Sequence, residues 1–294
     1  MKLAKLASTF LEEDTCKHFI GNMVTNLKIT LFCFSQNNWQ GYLEKLSEIL
    51  QCLRESGLTA RPSKMSIGFK EIEFLGHVVG SGEQRPEQKK VEKVLKLKPP
   101  RTKREVKSLL GFLNYYRKFV PNFSELSTPL SDLTKKGKPD KVTWTEECED
   151  ALKKIQDVFS SEPVLKLPDL NKPFLVRTDA SSHGIGAVLM QEHDGYIMPC
   201  LYASRKLLPR EQNYAVIEKE CLAIIFGVST FSRYLLLSEF IIETDHKPLA
   251  YLKVSKAKNS RLMRWSLILQ QYCFHIRPIS GGINHQADVL SRLV

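Results

Sequence analysis

The sequence predicts an α/β fold in which a mixed β-sheet flanked by helices follows a smaller helical region. From Lys172 onward, short apolar strands alternate with helical patterns in the order β-β-β-α-β-α-β-α, which is typical of a mixed sheet covered by helices. Before that point, amphipathic patterns are separated by prolines and polar loops. The 294 residues accommodate two domains with a smaller appendage, and 43% of them are hydrophobic, which suffices to build cores.

The first helical pattern begins after Pro99-Pro100. Thr102 and Glu105 have the spacing of a capping box, and Pro121 is expected to end the segment. Apolar residues follow the capping box at helical spacing, which predicts that they face a core. These residues are Val106, Leu109, Leu110 and Leu113.

A second helix is predicted after the polar loop 135–140. Thr145 is the expected N-cap, and Glu146-Glu147 occupy the first turn, where acidic residues favour a helix. The predicted apolar stripe consists of Cys148, Leu152, Ile155 and Phe159.

The elements of the C-terminal region can be read in order. Strands are predicted at 174–178, 185–190, 197–204, 240–244 and 274–278. Helices are predicted at 213–231, 261–271 and 287–293.

The net charge of +11 favours an anionic partner, and nucleic acid is the commonest one. Most of this charge lies between Ser81 and Val120, where 12 Lys and Arg against 4 Asp and Glu give a balance of +8. Aromatic residues interleave with the basic ones there, so the segment could bind nucleic acid, or it could be a solvated helix face. Lys103, Arg104 and Lys107 are the expected nucleic-acid contacts.

Other classes of protein are disfavoured. There is no run of about 18 apolar residues for a membrane-spanning helix, and the apolar N-terminal stretch is too short for a signal peptide. The seven cysteines lack a CxxC pair, so we expect buried thiols rather than a disulfide framework or zinc site. The expected location is intracellular, either cytoplasmic or nuclear.

Four acidic residues stand where chemistry could use them. Asp179 and Asp245 follow strands, Glu220 lies within the long helix, and Asp288 opens the last helix. Taken singly, each could cap a turn or a helix, or could be a surface charge. If they converged, they would repel one another unless cations lay between them, and their oxygens suit Mg²⁺ or Mn²⁺. Two such ions favour hydrolysis of a phosphodiester.

These acids lie in segments that resemble, in order, the ribonuclease H domain of gypsy-type LTR-retrotransposon Pol polyproteins. Two upstream segments look like the palm end and thumb of that family's reverse transcriptase. The ribonuclease H segments are Arg177-Thr178-Asp179-Ala180-Ser181, Glu218-Lys219-Glu220-Cys221-Leu222-Ala223, Thr244-Asp245-His246-Lys247-Pro248-Leu249 and Ala287-Asp288-Val289-Leu290-Ser291-Arg292. The upstream segments are Phe74-Leu75-Gly76-His77-Val78-Val79 and Leu110-Gly111-Phe112-Leu113-Asn114-Tyr115-Tyr116-Arg117-Lys118-Phe119.

The resemblance implies a ribonuclease H that cleaves the RNA strand of an RNA–DNA hybrid with two Mg²⁺ (or Mn²⁺) ions. It implies Glu220 rather than Glu218 as the catalytic acid of the long helix, a choice that spacing alone leaves open. The implied catalytic and metal-binding residues are Asp179, Glu220, Asp245 and Asp288. The expected phosphate contacts of this domain are Arg205, Lys247, Arg261 and Arg264.

The sequence also departs from the family's pattern. Counting back from Phe34-Ser35, the positions of the polymerase motif Tyr-Leu-Asp-Asp hold Leu27-Lys28-Ile29-Thr30, so neither polymerase aspartate is present and no DNA polymerase activity is expected. At the other end, the chain stops soon after Asp288, which is expected to weaken the metal site without abolishing it.

The expected organisation is a degenerate reverse-transcriptase palm remnant at 1–80, a helical thumb and connection at 81–168, and a ribonuclease H-like domain at 169–294. Two functions remain open. The chain is either an active hybrid-cleaving endonuclease without polymerase activity, or a catalytically inactive nucleic-acid-binding or assembly remnant of a retroelement. The sequence leaves the oligomeric state undetermined.

Overall fold

The computed structural model describes residues 39–57, 68–236, 238–244 and 260–279. The predicted palm edge at 1–38 and the predicted last helix at 287–293 lie outside these residues. By contacts the chain divides into two units, 1–83 and 84–294, each of which is described by itself. The predicted domain boundaries at 80 and 168 stay predictions.

The first unit contains helix α1 (Trp39–Glu55) and a β-hairpin formed by β1 (Glu71–Phe74) and β2 (His77–Gly80). Phe74 pairs with His77 across the two-residue turn Leu75-Gly76, and both turn residues have positive φ. Turns of this kind match the right-handed twist of the two strands. Strand β3 (Glu83–Pro86) follows the hairpin.

The second unit begins with a group of helices, which we call the helical module (residues 84–168). Their bounds are α2 (Gln88–Leu95), α3 (Lys103–Tyr115), a 3₁₀ turn (Arg117–Phe119), α4 (Phe123–Leu126), α5 (Thr128–Asp132) and α6 (Glu146–Ser160), followed by the short strand β4 (Leu165–Lys166). The buried apolar side chains of these helices form one core that includes Leu113, Tyr116, Leu130, Ile155 and Phe159.

Both predicted N-caps of this module are confirmed. The Thr102 hydroxyl accepts a hydrogen bond from the backbone N–H of Glu105 at 3.2 Å, and Thr145 accepts from Cys148 at 3.4 Å. The Glu105 carboxylate accepts from the backbone N–H of Arg101 at 2.6 Å. Both predicted apolar stripes face the core, with Leu110 only partly buried.

A five-stranded mixed sheet follows, in the order β7-β6-β5-β8-β9. Its strands are β5 (Phe174–Ala180), β6 (Gly184–His193), β7 (Tyr196–Lys206), β8 (Phe240–Thr244) and β9 (Phe274–Pro278). The first three strands are antiparallel neighbours, whereas β5, β8 and β9 run parallel. The predicted order of strands along the chain and the bounds of β8 and β9 are confirmed, whereas the order of the strands within the sheet was not predicted.

Helices cover one face of this sheet. They are α7 (Pro209–Gln212), α8 (Val216–Thr230), α9 (Ser232–Leu235) and α10 (Ser260–Leu269), of which the two short ones were not predicted. The core between α8 and the sheet contains Phe174, Val176, Cys221, Ile224, Val228 and Phe240. Gly227 allows α8 to come close, because a Cβ there would lie 2.9 Å from the Cβ of Ala187.

The helical module packs on the opposite face of the sheet, along β7. Tyr202 contacts the module's core and also the buried cluster of Leu175, Val188 and Met190. Polar contacts join the same surfaces. The backbone N–H of Ser124 donates to the Ser204 hydroxyl at 2.9 Å, and the Lys206 ammonium lies 3.1 Å from an Asp132 carboxylate oxygen.

Among the described cysteines, Cys148, Cys200 and Cys221 are buried and Cys273 is exposed, so the expectation of buried thiols is confirmed for three of them. Burial raises the pKa of the Cys200 and Cys221 thiols to about 12, which keeps them protonated. No helix in the described part of the chain has the length and apolar character needed to cross a membrane.

Candidate active site

Asp179 lies near the end of β5, on the face of the sheet that the helical module covers. The alternation of a strand places Val176 and Thr178 in the core below α8 and turns Asp179 the other way, where its side chain is exposed. Asp179 is paired in register with Gly186 of β6. A carboxylate in this position can bind a cation from solvent.

The helical module contributes to the surroundings of Asp179. A small polar pocket is lined with Asp179, Asn122, Ser124, Glu125 and Ser181. Asn122 adopts a left-handed conformation with φ of 47°, which asparagine tolerates better than most residues. Sequence reasoning missed these module residues, because the chain segment around Pro121 gives no signal that it meets β5 and β6.

Gly186 is needed for this close approach. A Cβ at this position would lie 2.5 Å from the Asn122 side-chain oxygen, which is closer than nonbonded atoms tolerate. The glycine therefore permits the module to lie against the strand that pairs with the Asp179 segment.

The turn after Asp179 is held by Ser181. Its hydroxyl accepts hydrogen bonds from the backbone N–H groups of His183 at 3.2 Å and Gly184 at 3.0 Å. The backbone N–H of Ser181 in turn donates to the carbonyl of Gly184 at 2.8 Å. This network orders the β5–β6 turn, and with it the chain on which Asp179 stands.

Glu220 lies in α8, and 6% of the residue is exposed. The residues next to the two acids share one apolar cluster, because Ala180 packs against the group formed by Ile185, Leu207, Leu222 and Ala223. Helix α8 thus passes the end of β5 that carries Asp179. Burial of a charged carboxylate is costly unless a cation or hydrogen-bond donors compensate it.

Glu218, two residues earlier, is occupied by structural contacts. One oxygen accepts from the backbone N–H of Ala215 at 3.1 Å and so caps α8, while the other lies 2.8 Å from an Nη of Arg261. These contacts give Glu218 an evident role in holding α8 and α10 together. The assignment of Glu220 as the catalytic acid stays a prediction, and these contacts favour it.

Two of the predicted phosphate contacts are engaged within the protein. Arg205 makes a bidentate pair with Glu211, at 2.6 and 3.1 Å. Besides its pair with Glu218, the Arg261 guanidinium lies 3.8 Å from the ring centre of Tyr214. Arg264 is exposed on α10. Contact of these residues with phosphate stays a prediction.

Among the predicted nucleic-acid contacts of the helical module, Lys103 is engaged within the protein and the other two are exposed. The Lys103 ammonium donates to the carbonyl oxygens of Lys135 (3.2 Å) and Lys138, so it fastens the loop between α5 and α6 to α3. Arg104 and Lys107 are exposed on α3. The exposed pair therefore offers charge to an anionic partner more readily than Lys103 does.

The remaining predicted site residues, Asp245, Asp288 and Lys247, lie outside the described residues. Within residues 39–57, 68–236, 238–244 and 260–279, no group of three or more His, Cys, Asp or Glu side chains is placed to hold a metal ion. Asp179 and Glu220 supply hard carboxylate oxygens, which are the donors that Mg²⁺ and Mn²⁺ prefer. The donor chemistry thus fits these ions, and the predicted set of four would complete it.

A mixed five-stranded sheet with a long helix on one face, and an acid on each of these two elements, defines a ribonuclease H-like class of α/β domain. The comparison with protein families agrees. Residues 169–272 match the RNase H-like domain found in reverse transcriptase.

The similarity to retrotransposon Pol polyproteins extends over most of the chain. It is 35% identical over 251 residues to the retrovirus-related Pol polyprotein from transposon 412 of Drosophila melanogaster, covering 85% of this chain and 20% of that protein. It is 34% identical over 290 residues to the transposon Tf2-7 polyprotein of Schizosaccharomyces pombe, covering 95% and 22%. The predicted resemblance is confirmed, and the chain spans about a fifth of the length of these relatives.

Solved structures share the fold. A foamy viral protease-reverse transcriptase dRH in complex with double-stranded DNA superimposes with a TM-score of 0.70 at 23% identity, covering 84% of this chain and 44% of the other. The foamy viral protease-reverse transcriptase in complex with an RNA/DNA hybrid superimposes with a TM-score of 0.67 at 24% identity, covering 83% of this chain and 34% of the other. The predicted fold class is confirmed.

Proposed function

We propose that this chain is a metal-dependent endonuclease that hydrolyses the RNA strand of RNA–DNA hybrids. The observation that carries the proposal is the placement of Asp179 and Glu220 on β5 and α8, whose adjoining residues pack together on a ribonuclease H-like sheet. The likeness to a reverse transcriptase in complex with an RNA/DNA hybrid supports the choice of substrate.

In this proposal Asp179 and Glu220, with Asp245 and Asp288, would hold two divalent metal ions. Bound Mg²⁺ or Mn²⁺ would supply a water of lowered pKa and stabilise the leaving oxygen of the phosphodiester. The protein holds the carboxylates in place through the Ser181 turn and the capped α8. Selectivity for the RNA strand would rest on its 2′-hydroxyl groups.

The basic part of the helical module is proposed to bind the hybrid's backbone. Arg104 and Lys107 are exposed on α3, and the module lies on the same face of the sheet as Asp179. Neutralising phosphates in this way would make binding strongly dependent on salt. DNA polymerase activity is proposed to be absent, because Leu27-Lys28-Ile29-Thr30 stand where the family has its polymerase aspartates.

A cleavage assay tests the proposal. With Mg²⁺, the full chain should cut the RNA of a labelled RNA–DNA hybrid and leave the DNA strand intact. Asp179→Asn should lower the rate by at least about 100-fold, because it removes a charged metal ligand. The matched control is Asp150→Asn, which makes the same change at an exposed position of α6 and should cleave like the wild type.

The same assay separates the alternative function. If the wild type and Asp179→Asn bind the hybrid equally and neither cuts it, the chain is a nucleic-acid-binding remnant and the enzymatic proposal is wrong. Equal loss of cleavage in Asp150→Asn would also count against a specific role for Asp179.

A further inference from the structure

Three charged side chains form a row across the three parallel strands of the sheet. Arg177 of β5, Glu243 of β8 and Arg277 of β9 are paired in register. Arg177 donates through Nε and Nη2 to one oxygen of Glu243, at 2.9 and 2.6 Å. Arg277 donates through the same two nitrogens to the other oxygen, at 3.1 and 2.6 Å.

This row carries an excess positive charge, because two guanidinium groups share one carboxylate. The Glu243 side chain is 4% exposed and that of Arg177 is 12% exposed, whereas the Arg277 side chain is 50% exposed. The Nη1 group of Arg277 makes no hydrogen bond within the described part of the chain. An uncompensated charge in a partly buried network favours an anion as its further partner.

The row lies next to the candidate active site, on the same face of the sheet as Asp179. Residues two apart on a strand share a face and are separated by about 6.6 Å, so Asp179 is the next residue after Arg177 on that face of β5. Arg277 stands on the outer strand, two strands away from Asp179. A nucleic acid with one phosphodiester at Asp179 would therefore bring neighbouring backbone phosphates near Arg277.

We infer that the Arg177–Glu243–Arg277 row is a phosphate-binding platform. Arg277 contacts a backbone phosphate of the nucleic acid near the phosphodiester that is cleaved at Asp179. Glu243 and Arg177 act as positioning residues, because the Glu243 carboxylate holds the Arg277 guanidinium by its Nε and Nη2 groups and leaves Nη1 available. This inference rests on the proposed function, and it adds a binding site outside the four acids.

The test measures hybrid binding by the full chain without Mg²⁺, over a range of salt concentrations. Arg277→Gln should weaken binding about tenfold and reduce the slope of log affinity against log salt by about 1, since one phosphate contact is lost. Arg277→Lys should restore most of the slope. The matched control is His275→Gln, on the same strand and face, whose ring pairs with Glu239 at 3.0 Å and should not affect binding.

A second measurement uses the wild type alone, so it does not depend on a variant that folds. An arginine-specific dicarbonyl reagent should modify the half-exposed Arg277 in the free chain, and bound hybrid should protect it. Equal modification with and without hybrid, or an unchanged affinity and salt slope in Arg277→Gln, would overturn the inference.

Failure of the inference differs from failure of the proposed function. A wild type that binds and cleaves the hybrid while Arg277→Gln behaves identically leaves the nuclease intact and makes the row purely structural. A wild type that neither binds nor cleaves the hybrid overturns both.

Discussion

Two glutamates in α8 differ in their partners, and we therefore expect different roles for them. Glu218 caps the helix and pairs with Arg261, while Glu220 is buried where the chain around Asp179 packs against α8. Both residues are acidic and lie two apart, so the sequence pattern gives them equal weight. Their contacts give them different expected responses to the same substitution.

Glu220→Gln should abolish cleavage while leaving the fold intact. The substitution removes a charge proposed to bind metal, so we expect the turnover rate to fall at least about 100-fold. The melting temperature without metal should stay the same or rise, because a buried charge has been removed. Steady-state cleavage kinetics and a thermal melt measure the two effects.

Glu218→Gln provides the matched comparison in the same helix. It breaks the ion pair with Arg261 and weakens the cap, which should cost about 1 kcal/mol of unfolding free energy. Cleavage per folded molecule should be retained. The opposite pattern, with Glu218→Gln inactive and Glu220→Gln active, would contradict the assignment of Glu220.

Glu211 should make the stability of the fold dependent on acid pH. Burial raises its pKa, but the hydrogen bonds from Arg205 and the backbone N–H of Leu208 outweigh burial and hold the pKa below its ordinary value of 4.5. Because the pKa of Glu211 is lower in the folded chain than in the unfolded one, the ionised carboxylate stabilises the fold above pH 4.5. This stability is lost as the pH falls through the folded-state pKa.

Urea unfolding from about pH 7 to about pH 3 checks this linkage. The wild type should lose stability more steeply below pH 4.5 than Glu211→Gln does. The variant should already be less stable at neutral pH by about 1–3 kcal/mol, because it has lost hydrogen bonds to a charged group. If the unfolding free energies of the two proteins changed in parallel with pH, Glu211 would not be a cause of the acid dependence.

At the scale of elements, the packing of α8 on the sheet depends on Gly227. Gly227→Ala would place a methyl group 2.9 Å from the Cβ of Ala187 and 3.3 Å from the Cγ2 of Thr178. We expect a loss of about 1–3 kcal/mol from overpacking, and a lower cleavage rate as α8 moves away from β5. Chemical denaturation and the cleavage assay measure these effects.

Gly111→Ala is the control for helix propensity. Gly111 lies in α3, is exposed, and has nothing within 4 Å of an added Cβ. The same substitution there should stabilise the protein by about 0.5–1 kcal/mol, since alanine favours a helix more than glycine does. A stabilising effect at both glycines would contradict the close approach of α8 to the sheet.

The elements that could be predicted from the sequence are those whose signals are local. The caps at Thr102 and Thr145, and the apolar stripe ending at Phe159, depend on residues within a few positions of one another. The packing of Asn122 against Gly186 joins residues far apart in the chain, so no periodicity indicates it. The same holds for the Arg177–Glu243–Arg277 row, which requires the strand register.

The candidate site could be predicted only in part. The residue types and their order predict Asp179 and Glu220, whose catalytic role stays a prediction, but the engagement of Arg205 by Glu211 depends on how β7 meets α7. An arginine in a sequence reads as a free positive charge, whereas in the fold its donors are shared out among nearby acceptors. Phosphate contacts are therefore harder to predict than carboxylates.

At the scale of the whole molecule, the chain covers one face of the sheet of residues 174–278 and the β7 side of the other face. Helix α8 covers one face, and the helical module covers β7 and its neighbours on the other through Tyr202. Burial raises the pKa of the Tyr202 phenol to about 12, against an opposing effect of Arg177, as expected for a ring enclosed between the two layers. The module thus acts as part of the core of the ribonuclease H-like domain.

A fragment of residues 169–294 should consequently be less soluble and less stable than the full chain. Without the module, Tyr202 loses the side chains that cover it, and we expect it to present an apolar patch to water together with the cluster of Leu175, Val188 and Met190 that it packs against. We expect the fragment to bind a hydrophobic dye, to aggregate at lower protein concentration and to melt at lower temperature. A fragment that carries both Tyr202→Gln and Met190→Gln should bind less dye, because the two substitutions make the exposed patch more polar. A fragment that matches the full chain in dye binding and melting temperature would show that the module is dispensable for the sheet.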